Sequence, residues 1–337
     1  MFIPRYWSEA SELQVLPRRR RVTLRRFGWS STSQEDADVH ARQRLEEALD
    51  VLRRGGEKAL RGLRRRERRV AYAGGEGLPI REEIVREWEG AEVVVTRNSY
   101  GALCLNARRA MFVDIDAKHA GAGCCGCLGV LAGAAAGAVA GPWWPDLPRP
   151  RLLGALAGAA LLSGIAVLVA RIRPALSLRH SDPLEWARRR IAAWCDLRPE
   201  WSVRIYETPA GVRLLVAHDT FDPTDARARA FMKFADADPL YVRMCELQKC
   251  FRARVSPKPW RIGMKTHFRA GGPWPILDEG QLARRSEWVR EYEERSAGHA
   301  SCRYVETVGT GRMAPGVEEV RRIHDDLSRA DTRLEIA

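Results

Sequence analysis

Glu92-Val93-Val94-Val95-Thr96, Tyr100-Gly101-Ala102-Leu103-Cys104-Leu105-Asn106 and Met111-Phe112-Val113-Asp114-Ile115-Asp116 follow one another with only a few residues between them. Each is a short apolar run bounded by Asn, Ser, Gly or Arg, which is how neighbouring strands joined by tight turns read. Connections this short suit antiparallel neighbours, because a parallel pair needs a crossover of a dozen residues or more.

Outward from this meander the remaining elements take the same mixed form. Arg21 to Phe27 alternates like a strand. Ser33, with Asp36 three residues on, reads as an N-cap opening a helix to about Arg54, just before Gly55-Gly56. Pro79 is expected to begin a short helix through Trp88. Beyond the middle of the chain, Asp182-Pro183 opens a helix to about Leu197. Ser202 to Glu207 and Val212 to Ala217 form a hairpin across Thr208-Pro209-Ala210-Gly211. Helices are expected near Asp225 to Ala235, Pro239 to Gln248, Gln281 to Ser296 and Val317 to Ala330, with strands at Phe251 to Val255 and Arg303 to Val308. Strands and helices do not alternate as βαβ units, so the expectation is an α+β fold, a mixed or antiparallel sheet with flanking helices.

The centre of the chain reads differently. Ala120 to Pro145 and Leu152 to Ala170 carry no charge, and each reaches the roughly 20 residues that a helix needs to cross a bilayer. Gly129, Gly133, Gly137 and Gly141 recur every fourth residue, answered by Gly154 and Gly158, a spacing that lets two helices pack closely in lipid. The expectation is a transmembrane helical hairpin over 119–173, inserted between an N-terminal part, 1–118, and a C-terminal part, 174–337, of one cytoplasmic α+β domain. Arginines and lysines flank the outer ends, which places both termini in the cytoplasm of a two-pass inner-membrane protein.

Composition sets outer limits. The 337 residues hold 56 Lys and Arg against 43 Asp and Glu, a net charge of +13. Apolar residues at 45% exclude a largely disordered chain, and a mean hydropathy of -0.33 excludes a polytopic transporter. Eight cysteines without paired CxxC knuckles argue against a zinc site, and the opening residues lack a secretory leader.

Three groups of residues could carry chemistry. Asp114 and Asp116 stand two apart on a strand, so both carboxylates share a face. A hard divalent cation such as Mg²⁺ would relieve their repulsion. Arg252, Arg254, Lys258 and Arg261 lie beside Phe251 and Trp260, and together with Arg213 form a candidate phosphate or polyanion site. His218-Asp219 with Asp222 and Asp225 reads more simply as a turn and helix cap than as an acid–base cluster.

Two resemblances bear on these residues. An Asp-hydrophobic-Asp strand followed well downstream by a small-Gly-x-His strand resembles the core of archaeo-eukaryotic-type primases. That family's RRM-like sheet polymerises nucleotides with divalent metal. Here Asp114 and Asp116 are followed by Ala210-Gly211-Val212-Arg213, with Arg213 standing where the family has histidine. The blocks Arg97-Asn98-Ser99-Tyr100-Gly101, Arg204-Ile205-Tyr206-Glu207-Thr208-Pro209-Ala210-Gly211 and Phe251 to Trp260 resemble a group of uncharacterised bacterial membrane proteins without established activity.

The resulting expectation is a membrane protein whose cytoplasmic module binds a polyanionic ligand or a protein partner at the bilayer surface. Anionic lipid, nucleotide and nucleic acid are the ligands considered, with a homo-oligomer through the glycine face as a further partner. The alternative is a metal-dependent phosphoryl- or nucleotidyl-transfer enzyme centred on Asp114 and Asp116, with Arg213 or Arg254 on phosphate.

Overall fold

The computed structural model describes residues 1–16, 20–59, 61–63, 65–67, 78–116, 182–265, 274–276 and 278–337. Two compact units divide the chain, one of Met1–Ile115 with Arg190–Ala337 and the other of Asp116–Arg189. In the first, β1 (Tyr6–Leu16) and β2 (Arg20–Ser30) pair antiparallel over their whole length, from Tyr6 opposite Ser30 to Leu16 opposite Arg20. Helix α1 (Gln34–Ala59) packs across this ribbon, burying Leu45, Ala48, Leu49 and Leu52 against Val22 and Leu24. Ser33 caps it as expected, its Oγ accepting from the Asp36 N–H at 3.1 Å. The helix breaks at Gly56, whose φ of 53° only glycine adopts freely. Gly28 decides how close α1 comes, since a Cβ there would lie 2.1 Å from the Ala41 nitrogen.

Two four-stranded sheets complete the unit. One runs β3 (Glu83–Trp88), β4 (Val93–Arg97), β5 (Leu103–Ala107), β9 (Phe251–Arg254), all antiparallel. The other runs β11 (Arg303–Gly309), β7 (Ser202–Thr208), β8 (Gly211–Val216), β6 (Phe112–Asp116). Both sheets thus join strands from before residue 117 to strands from after residue 181. A small parallel pair, β10 (His299–Ala300) with β12 (Glu335–Ile336), stands apart. The helices after the central segment are α2 (Pro183–Asp196), α3 (Ala226–Phe234), α4 (Pro239–Gln248), α5 (Glu279–Ser296) and α6 (Pro315–Ser328). Aspartates cap four of them: Asp182, Asp225, Asp238 and Asp278 accept from backbone N–H groups two or three positions on.

Two expectations need correction, and one strand is new. The stretch through Trp88 is strand, not helix. It pairs with β4 from Glu83 opposite Arg97 to Trp88 opposite Val93, and this ladder outweighs the helix-start signal of Pro79. Tyr6 to Leu16, with its outward Glu9 and Glu12, is a strand the alternation did not announce. The transmembrane hairpin over 119–173, with Gly129, Gly133, Gly137, Gly141, Gly154 and Gly158, lies outside the described residues. Among the described residues no helix is long and apolar enough to cross a membrane. The longest, α1, carries charge on almost every turn. The expected fold class, the membrane assignment and the two-pass inner-membrane placement are corrected accordingly. What the structure shows is an α+β protein with antiparallel sheets and six helices among the described residues.

Candidate functional site

Strand β9 delivers the basic segment, and the turn that follows presents it. Ser256 Oγ accepts from the Leu103 N–H at 2.7 Å and meets Tyr292 Oη at 2.5 Å, while Tyr292 donates to the Pro257 carbonyl at 2.7 Å. Lys258 is extended before Pro259, and Pro259–Arg261 forms a single 3-10 turn. This rigid base holds Trp260 out into solvent at 56% exposure. The Tyr100 ring lies 5.3 Å from it at 59°, and the Lys258 ammonium sits 5.4 Å from the indole centroid. Tyr100 itself is set by Asn98, whose Oδ1 accepts from the Tyr100 and Ala102 N–H groups at 3.1 Å.

The five cations named from sequence divide between surface and interior. Lys258 and Arg261 flank Trp260 and are half-buried, as is Arg254, which donates to the Ser256 carbonyl at 2.8 Å. Arg252 shares its strand face with Arg254, but that face is covered. Arg252 pairs with Glu82 at 2.6 Å and donates to Gln248 Oε1 at 3.3 Å, and Glu82 also accepts from Thr96 Oγ1. Arg213 is 2% exposed, with Nε and Nη2 donating to Asp114 Oδ1 and Oδ2 at 2.7 and 3.3 Å, and Nη1 to the Arg254 carbonyl at 2.7 Å. These two arginines are internal partners of carboxylates and have no open face for phosphate.

Asp114 therefore commits both oxygens to Arg213, while Asp116 is exposed at the end of β6 in the other compact unit. No group of three or more His, Cys, Asp or Glu able to hold a metal occurs among the described residues. Asp222 and Asp225 serve the turn and the helix cap, accepting from the Thr224 and Arg227 N–H groups at 2.8 Å.

Arg213 also leads into a second, sealed cluster between the β11-β7-β8-β6 sheet and α6. Its Nη1 is 3.4 Å from His324 Nε2, and His324 Nδ1 is 2.9 Å from Asp325 Oδ1. Cys302 Sγ faces the same Nε2 at 4.0 Å. Asp325 Oδ2 accepts from Arg204 at 3.1 Å and from Arg321 at 2.9 Å. His324 and Cys302 are fully buried. Burial works against charge on His324, yet Cys302 and Asp325 outweigh it and raise its pKa. Burial likewise pushes the Cys302 thiol up, but His324, Arg213 and Ser328 reverse this and hold it below the ordinary thiol value. The other described thiols go the opposite way: desolvation raises Cys104 and Cys245 and lifts Cys195 and Cys250 to about 11.

Spacing along the chain does not bring Cys302, His324 and Asp325 together. One local signal was present: Val317, Val320, His324 and Ser328 fall at the spacing of one helix face, so a titratable ring stands in an apolar stripe. No family model, curated protein or solved structure matches this chain, so the resemblances noted above gain nothing from comparison.

Proposed function

We propose that this protein is a non-enzymatic binding module for a polyanion bearing aromatic bases, a single-stranded nucleic acid, docked on the turn Lys258-Pro259-Trp260-Arg261 with Tyr100. The observation that carries this reading is the exposed Trp260 ring, braced by Tyr100 and lying next to the Lys258 ammonium. An indole held in solvent on a rigid turn is a stacking platform, and stacking on aromatic side chains is typically worth about 1–3 kcal/mol per base. Lysine and arginine beside it supply phosphate contacts, and a net charge of +13 favours encounter with any polyanion. The transferase alternative loses support because Asp114 is occupied by Arg213.

The test is fluorescence anisotropy of a labelled single-stranded oligonucleotide, with inorganic polyphosphate as a base-free competitor. Binding should weaken steeply with salt, and Trp260→Ala should weaken it about 5- to 100-fold, as the loss of one stacked base implies. Lys258→Ala should lower the salt slope by about one. Equal affinity of the wild type and Trp260→Ala would refute the reading, as would polyphosphate displacing the oligonucleotide at equal phosphate concentration.

A further inference from the structure

The sealed cluster is not used by the binding turn, and its groups are arranged for a different chemistry. We propose that Cys302, His324 and Asp325 form a reactive thiol site, in which Sγ and Nε2 share one proton and the thiol takes an organic disulfide. Three distances carry this: Asp325 Oδ1 at 2.9 Å from Nδ1, Nε2 at 4.0 Å from Sγ, and the Arg213 guanidinium at 3.4 Å from the same nitrogen. A carboxylate on Nδ1 fixes the ring so that Nε2 points at the sulfur, the arrangement by which a histidine activates a cysteine. A positive neighbour stabilises thiolate, and Arg213 supplies one.

Every element packed on the imidazole contributes to this balance. Asp325 and Arg321 belong to α6, Arg213 to β8, and Arg204 and Tyr206 to β7. Tyr304 of β11 lies under Arg204, and Asp114 of β6 neutralises Arg213. The Phe112 ring closes the remaining side at 4.8 Å. Asp325 and Asp114, with Glu318 paired to Arg321 at 2.7 Å, thus set three carboxylates against the three guanidinium groups, and the thiol–imidazole pair keeps its single proton between them.

Reaction is written as exchange. The Cys302 thiolate attacks one sulfur of R–S–S–R, the S–S bond breaks, and Cys302–S–S–R forms while RS⁻ leaves and takes a proton from water. The shared proton stays on His324. The thiol is oxidised and one half of the reagent is reduced, so no other oxidant enters. Approach to the buried sulfur depends on the segment beside it. Ser301 N–H bonds the Ser328 carbonyl, Ala337 N–H bonds Ala300, and Arg303 donates to the Leu334 carbonyl at 3.0 Å, with only two residues of β12 paired. Tyr304 N–H also bonds the Ala330 carbonyl and Arg329 donates to the Ser296 and His299 carbonyls, so exchange at Cys302 requires these bonds to open locally while α6 keeps His324 in place.

The intact protein is treated under native conditions with bis(hydroxyethyl) disulfide, and each cysteine is followed by peptide mass. Cys302 should be modified ahead of Cys104, Cys195, Cys245 and Cys250. Its rate should stay within about twofold between pH of about 8.5 and 6.5, where an ordinary thiol slows roughly fiftyfold. His324→Gln should restore the ordinary slope. If that variant does not fold, the thiolate ultraviolet absorbance of the wild type against Cys302→Ser decides, with a difference at neutral pH expected. Cys302 unmodified while the protein stays folded, a rate that falls like the other thiols, or no thiolate difference would each overturn the proposal.

Discussion

Replacing Asp114 by Asn keeps the shape of the side chain and removes its charge, which isolates what the carboxylate does for Arg213. The guanidinium is 2% exposed and makes two of its contacts to this one group, at 2.7 and 3.3 Å. An amide can still accept at one position, but its NH₂ then faces a guanidinium N–H, donor against donor. Unit charges about 4 Å apart attract by about 4 kcal/mol at an effective dielectric of 20. The desolvated cation remains when the anion is gone, so Asp114→Asn should cost about 3–5 kcal/mol. Arg213→Met should cost less, since Asp114 is 32% exposed at its side chain and can rehydrate. The double variant should recover at least half of the Asp114→Asn loss. Urea unfolding of the four proteins gives the cycle, and a coupling below about 0.5 kcal/mol would refute the view of Arg213 as a buried cation held by Asp114.

Other consequences follow from the same structure. Glu82→Gln leaves Arg252 without its carboxylate in a covered sheet face and should destabilise by about 3 kcal/mol in denaturant unfolding. A loss under about 1 kcal/mol would mean that water reaches the pair. Gly28→Ala places a methyl against the α1 backbone and should cost about 1–3 kcal/mol or more by thermal melting, whereas an unchanged melting temperature would contradict the close approach of helix and ribbon. Burial works to raise the pKa of Asp325, but His324, Tyr206 and Arg204 outweigh it, so its folded value lies below the ordinary carboxylate value. A depressed value contributes stability that is complete above the unfolded pKa of about 4 and is lost as pH falls through the folded one. The stability gap between wild type and Asp325→Asn should therefore be constant at neutral pH and narrow in acid. A gap that widened in acid would reverse the assignment.

Much of the fold is legible because its signals are local. Asp182 before Pro183 and Asp225 announce helices at the residues where helices begin, since a cap needs only a side-chain oxygen and the N–H groups two or three positions on. The hairpin of β7 and β8 turns at Gly211, whose φ of 155° suits a residue without a Cβ. The strand at Glu83–Trp88 escaped because its evidence is a partner ladder, and the helix-start signal of Pro79 is the only thing visible along the chain at that point. The basic turn at Lys258 to Arg261 is similarly legible in kind, as a Pro-stiffened basic and aromatic stretch.

What charge a residue carries is set by its chemistry alone, and the sequence determined from this that the protein is basic, mixed α+β in its element order and punctuated by aspartate caps. Where each charge is satisfied was decided only by the tertiary structure. Asp114 and Arg213 are 99 positions apart, Glu82 and Arg252 170 apart, and Cys302 meets His324 across 22. Burial removes water as the competing partner, so a guanidinium that would seek phosphate in solvent takes the carboxylate that sheet pairing brings beside it. That choice depends on distance in space, and spacing along the chain carries no record of it.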